Sequence, residues 1–306
     1  MSQSSTATLQ NEHLHVEISS QGAEMVRLRD GEGRDLLWNG DPAFWAWHAP
    51  LLFPIVGRVV DDRIRVDGED YPIKQHGLAR LSAFDLVETS SASCRFRLLS
   101  SAGTLAAFPF AFALDVIYSL EGASLTVEAL VSNTGAGSMP VSFGFHPAFR
   151  WPLPYGQPRE DHVLAFEREE ATGIRRLEGG VMLEERFPSP VDGRVLHLSD
   201  DLFAADAVIF DEPASRRVRY GVAEGPGIEV SFPDMPQLGL WSKPGAEFLC
   251  IEPWQGHASP AKFRGELRDK PGMVAVAPGA VQRFAMTITL VPGASTTLSR
   301  SPDRLS

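Results

Sequence analysis

Hydrophobic positions recur at every second residue along most of this chain. Leu14, Val16 and Ile18 alternate with polar neighbours. So do Phe84 and Leu86, then Cys94, Phe96 and Leu98, then Phe112, Leu114, Val116 and Tyr118, then Leu125, Val127, Ala129 and Val131. A period of two is the pleat of a half-buried strand. Met139, Val141, Phe143 and Phe145 continue it, with Ser142, Gly144 and His146 on the opposite parity before Pro147 removes a backbone N–H and ends the ladder. Short strands return at Ala207 to Phe210, Val218 to Val222 and Ile228 to Phe232. Phe248-Leu249-Cys250-Ile251 is apolar on both parities, as in a strand buried on both faces. A last alternation, Gln282 to Leu290, precedes a Ser/Thr/Pro-rich tail from Pro292 that is expected to fray. No helical periodicity persists beyond about three turns. The pattern predicts an all-β fold, mainly antiparallel, most simply a large sandwich with few short helices.

Turn residues fit this reading. Ser-Ser-Gln-Gly after Ile18 makes the chain begin as a hairpin, and Asp67-Gly68 predicts a second between Arg63 and Ile73. The strands after Phe112, after Leu125 and after Met139, joined by short turns, predict a meander. Two stretches depart from the pattern. Trp38 to Val56 mixes Phe44, Trp45, Trp47, His48 and Phe53 with three prolines, which suits a packed loop able to wall a cavity. Arg150 to Asp201 is charged and rich in Gly and Pro, with one strand expected at Val163 to Phe166.

Composition narrows the function classes. The 306 residues are 43% hydrophobic, ample for a core, and a single domain spanning 1–306 is expected, ordered from about 10 to 290. A net charge of −11 argues against nucleic acid or an anionic membrane as partner. The first residues carry no basic segment followed by an apolar one, so no secretory signal is expected, and no apolar run approaches the length of a spanning helix. Cys94 and Cys250 form no C-x-x-C or metal-ligand pattern, so neither a disulfide framework nor a zinc site is expected and a reduced, cytoplasmic protein fits best.

Two strand ends carry candidate chemistry. Glu252 follows four apolar residues and precedes Pro253 and Trp254, so desolvation should raise its pKa towards neutrality and tune it for proton transfer. His146 has a suitable intrinsic pKa and lies beside residues too small to fill space. The plain alternatives are a glutamate that leaves the sheet into solvent or pairs with an arginine, and a histidine bonded to nearby backbone. His76, Arg80 and Arg58 are loop donors that could bind hydroxyls, carboxylates or phosphates. Asp206 at a strand start could accept from hydroxyls or simply form a turn. His13 and His15 share a strand face without a third ligand and are expected at the surface. No G-x-S-x-G, phosphate-binding loop, G-x-G-x-x-G after a strand or H-E-x-x-H occurs.

Five motifs, in order, resemble the aldose 1-epimerase family, and within it the bacterial LacX-like branch. They are G-R-V-V-D-D-R-I-R-V-D-G from Gly57, Q-H-G-L-A-R from Gln75, F-G-F-H-P-A-F from Phe143, W-S-K-P-G from Trp241 and C-I-E-P-W from Cys250. The resemblance runs from about residue 10 to 290. It implies a galactose-mutarotase-like β-sandwich with a sugar cleft on one concave sheet, Glu252 as base, His146 as acid, His76 and Arg58 as sugar-binding groups and Asp206 as a sugar-binding aspartate. It implies a small-molecule sugar as ligand and neither cofactor nor metal. The histidine motif departs from the hexose mutarotase pattern in reading H-P-A-F, and Arg80 follows the His-Gly pair. Both bear on the substrate, since a related branch acts on hexose 6-phosphates and an extra arginine suits a phosphate. The other readings are a carbohydrate-binding or sensing protein on the same cleft, and a glycoside hydrolase or lyase. Hydrolysis would need a second carboxylate about 5 to 10 Å from Glu252, for which Asp206 is the candidate.

Overall fold

The computed structural model describes residues 5–293. The tail expected to fray lies outside the described residues beyond Gly293. Two antiparallel sheets dominate. The larger has nine strands in the order Val195–His197, Val163–Phe166, Arg217–Gly221, Gly227–Ser231, Val281–Val291, Ser124–Asn133, Phe112–Glu121, Ser93–Leu99 and Asp85–Thr89. The smaller runs Val208–Phe210, Gln237–Trp241, Phe248–Gln255, Phe143–Phe145 and Leu51–Leu52, with Ala148–Arg150 also paired to Phe248–Gln255. One α-turn, Ala102–Leu105, and short 3-10 turns are the helical elements among the described residues.

The sheets share one apolar core. Phe143 of the smaller sheet stacks on Phe284 of the larger at 5.2 Å, and Phe166 meets Phe210 at 5.2 Å. Alternation decides which residues enter this core. Leu249 and Ile251, Leu238 and Leu240, Phe143 and Phe145, Val208 and Phe210 all point into it. Their opposite-parity neighbours, Cys250, Glu252 and Trp254, then Gly239 and Trp241, Gly144, and Ile209, fall on the other face of the smaller sheet. That second face is the floor of the site.

The hairpins form as their turns predict. Leu14–Ser19 pairs with Met25–Asp30, and a further strand, Thr6–Gln10, lies on its other side. Arg63–Val66 pairs with Glu69–Pro72 across Asp67 and Gly68, both at positive φ (51° and 87°), the requirement of a tight two-residue hairpin. The meander departs from expectation. Phe112–Glu121 and Ser124–Asn133 do pair, but the chain then leaves for the other layer: Met139–Val141 pairs with Val274–Val276, and Phe143–Phe145 with Phe248–Gln255. The place beside Ser124–Asn133 goes to the last strand, Val281–Val291, in a nine-pair register. The physical reason is burial. Met139–Val141 and Phe143–Phe145 are buried on both parities, which a half-buried outer strand would not be. In the weakly patterned stretch after Arg150, Val163–Phe166 forms as expected, and a small hairpin, Leu177–Glu178 with Val181–Met182, was not legible. His13 is exposed and His15 half-buried.

Candidate active site

Chain segments from Trp45 to Ala258 converge on a cleft of about 310 Å³ above the smaller sheet, at the lower end of small-molecule pockets. Its floor is Trp241, Glu252 and Trp254. Trp45, from the proline-rich loop, stacks on the His146 ring at 4.9 Å and 25°. Gln75, His76 and Arg80 form one side; Leu177, Asp206, Ala207 and Ile209 form another. The expected packed loop does wall a cavity.

His146 and Glu252 lie at the centre. Phe248–Gln255 carries Glu252 directly opposite Gly239, and His146 follows Phe143–Phe145 on the adjoining edge. His146 Nε2 is 3.1 Å from Glu252 Oε2, and the two residues are 7% and 1% exposed. The approach is close but not aligned as a hydrogen bond, since Glu252 Oε2 has no partner of hydrogen-bonding geometry. Burial disfavours charge on both groups. It pushes the Glu252 carboxyl well above the ordinary carboxylate range, with the Trp254 indole acting against burial and Asp206 with it, and it pulls His146 down to about 3. The pair therefore favours a neutral carboxylic acid beside a neutral imidazole.

His76 is held by backbone. Its Nδ1 accepts from the Gly57 N–H at 3.1 Å, which leaves Nε2 as the protonated ring nitrogen. Burial, then the nearby His146 and Arg80, drive its pKa well down, so it acts as a neutral donor. The turn that presents it has His76 at φ 65° and Gly77 at φ 74°, and a Cβ on Gly77 would overlap the Phe53 carbonyl. Arg80 gives one N–H to the Gln75 carbonyl at 2.9 Å and lies 5.2 Å from the Trp47 ring. Its Nε is buried with no partner, and it makes no ion pair with a described carboxylate. Asp206 sits at the rim at φ 65°, one oxygen capping the Ala207 N–H at 2.8 Å.

Arg58 is not among the cleft residues. Its guanidinium grips Asp62 through two 2.7 Å hydrogen bonds and donates to the Gly179 carbonyl at 3.1 Å, so it braces the Leu177–Met182 hairpin whose Leu177 does reach the cleft. The sequence reading of the site, in turn, passed over Trp45, Trp241, Trp254, Gln75 and Leu177. The tryptophans carried a signal, as two of them belong to the motifs W-S-K-P-G and C-I-E-P-W. Among the described residues one group has the spacing for a small cation: His146, Cys250 and Glu252, with donor atoms within 4.8 Å of one another. Burial and the adjacent Glu252 hold the Cys250 thiol protonated, which makes it a poor ligand.

A family model described as aldose 1-epimerase matches residues 5–298. The chain belongs to the aldose 1-epimerase family. Among curated relatives, the chromosomal and plasmid LacX proteins of Lactococcus lactis subsp. lactis are each 33% identical to it, covering 94% of this chain and 99% of theirs. Among solved structures, a galactose mutarotase related enzyme from Lactobacillus acidophilus superposes with a TM-score of 0.88 at 30% identity, covering 94% and 98% of the two chains. A galactose mutarotase-like protein from Lactobacillus casei gives 0.85 at 30% identity over 94% and 100%. This aldose 1-epimerase relative is thus a galactose-mutarotase-like all-β protein, of the sugar-epimerase kind of isomerase. No helix among its described residues is long and apolar enough to cross a membrane.

Proposed function

We propose that the protein interconverts the α and β anomers of an aldohexose or a related sugar, with Glu252 as base and His146 as acid. The observation that carries the reading is the approach of His146 to Glu252 at 3.1 Å on the floor of a cleft sized for a monosaccharide. Anomer exchange needs the anomeric hydroxyl to lose a proton while the ring oxygen gains one. The ring then opens, the C1–C2 bond rotates, and the ring closes on the other face of the aldehyde. One carboxylate and one imidazole suffice, so the reading is of a cofactor-independent isomerase.

The proton inventory is consistent with this. A neutral acid beside a neutral imidazole holds the same single proton as a carboxylate beside an imidazolium, so the two are tautomers of one pair. Desolvation favours the first. Sugar hydroxyls supply hydrogen bonds that favour the second, in which the base is ionised and the acid charged. After ring opening the proton has moved from one partner to the other, and reclosure returns it. His76 Nε2–H and the Asp206 carboxylate are suited to hold hydroxyls, and Trp45, Trp241 and Trp254 offer aromatic faces to the apolar side of the sugar.

Exchange kinetics of α-glucose, α-galactose and glucose 6-phosphate, followed by NMR on freshly dissolved anomer, test the reading. The wild type should exceed the spontaneous rate with at least one of them, and Glu252→Gln or His146→Asn should lose about 10²- to 10⁴-fold of that excess. Tight sugar binding without exchange would instead support a sensor or binding protein.

A second reading concerns the substrate. Arg80 is half-buried, has an unpartnered Nε and makes no described ion pair, which suits an anionic group on the ligand. A hexose 6-phosphate would supply one.

A further inference from the structure

Trp254 is built into the site more firmly than a lining residue needs to be. Its indole lies flat over the smaller sheet, and the strands on either side make room for it. Gly144, paired with Trp254, would place a Cβ 2.7 Å from Trp254 Cδ1, and a Cβ on Gly239 would overlap Cζ2 and Cη2. Both positions bind the indole edge that carries Nε1. Gly239 is also the register partner of Glu252, so this edge runs towards the carboxyl two residues back on the same strand. Trp254 is 5% exposed, and Nε1 is buried without a hydrogen-bond partner. Glu252 Oε2 and His146 Nδ1 are also buried without a partner there. An unpaired buried N–H is costly, and here an unpaired carboxylate acceptor stands two residues back on the same face of the same strand.

We propose that the Trp254 indole N–H is a positioning donor for Glu252, fixing the carboxyl's orientation and favouring its ionised form when a sugar enters, so that the shared proton passes to His146. This rests on the reading of Glu252 as the base. The other groups around Glu252 do not supply this donor. His146, from the adjoining strand end, is the proton's alternative seat. Cys250, from the same strand, is a neutral thiol. Asp206, from the rim, is an anion that opposes ionisation. His76 and Arg80, from the opposite wall, make no hydrogen bond to Glu252: His76 Nδ1 accepts from the Gly57 N–H and one Arg80 N–H goes to the Gln75 carbonyl.

The test replaces Trp254 in the full-length protein by β-(3-benzothienyl)alanine, which keeps the shape and removes the N–H, with Trp254→Phe as a genetically encoded companion. The Glu252 carboxyl, labelled with carbon-13, is titrated by NMR in each. Loss of a donor to a carboxylate should raise its pKa by about one to two pH units. In the exchange assay of the isosteric variant, which keeps the aromatic face, the alkaline limb of kcat/KM should move in the same direction, and kcat should fall about tenfold or more with little change in KM. An unmoved carboxyl titration in the isosteric variant overturns the proposal, as does a raised KM with kcat intact, which would make the indole a sugar contact only. A raised carboxyl pKa in a protein whose wild type exchanges no aldose would uphold the positioning role while refuting the epimerase reading.

Discussion

At the scale of single residues, the pair at the cleft floor sets a pH dependence. His146, depressed to about 3, gains a second proton only in strong acid, and Glu252, raised by burial, keeps its proton beyond the ordinary carboxylate range. The pair holds one proton between these limits. The excess exchange rate should therefore be flat through mildly acidic pH and fall on the alkaline side, where Glu252 releases the pair's last proton. An NMR rate profile, with the spontaneous rate subtracted at each pH, measures this. Arg80 governs substrate choice: if a phosphorylated hexose is the ligand, Arg80→Met should raise KM for it about ten- to a hundredfold while a free hexose changes little. Glu252 and His146 stood out in the sequence because an ionisable group after an apolar run has few places to be. Arg58 was not legible as a brace, because the capture of its guanidinium by Asp62 depends on a turn whose backbone at Asp61 and Asp62 is at positive φ.

At the scale of elements, the site depends on turns that tolerate only one residue type. Gly77 combines a positive φ with contact to the Phe53 carbonyl, and the His76 Nδ1 acceptor bond hangs from the same turn. Gly77→Ala should cost at least about 2 kcal/mol in urea unfolding and should lower activity beyond the effect on folded fraction, because His76 shifts with the turn. Strands were legible from alternation, and the two best-marked hairpins from Asp-Gly and Ser-Ser-Gln-Gly. Which strands become neighbours was not. Met139 to Phe145 has the alternation of a meander strand, but its small-residue parity is buried instead of facing water, Gly144 beneath Trp254 and Ser142 against Gly256 and Met273, a fact of packing from segments more than 100 residues away. The Leu177–Met182 hairpin escaped notice because its strands are two residues each, too short for a period to show.

For the molecule as a whole, stability carries a signature from a group outside the cleft. Lys270 is 2% exposed, its ammonium donates to the His257 carbonyl at 2.5 Å, and burial lowers its pKa from 10.5 to about 7. Between those values the unfolded chain binds a proton that the folded one does not, so this residue makes stability rise with pH across that window. Below about 7 both states are protonated and the burial cost is fully present. Lys270→Met should flatten the rise in urea midpoint between pH 7 and 10. The all-β class and the sandwich were visible in the chain's periodicity, whereas the closing of the larger sheet was not. Its fifth strand is the last in sequence among the described residues: Val281–Val291 lies between Gly227–Ser231 and Ser124–Asn133. Those two inner edges have no partner in the sheet until Val281–Val291 docks between them. Docking of this one strand joins the sheet's two halves, one of them carrying the strands that follow Arg150, and any species formed before it exposes two unpaired strand edges, the kind of surface on which partly folded chains associate.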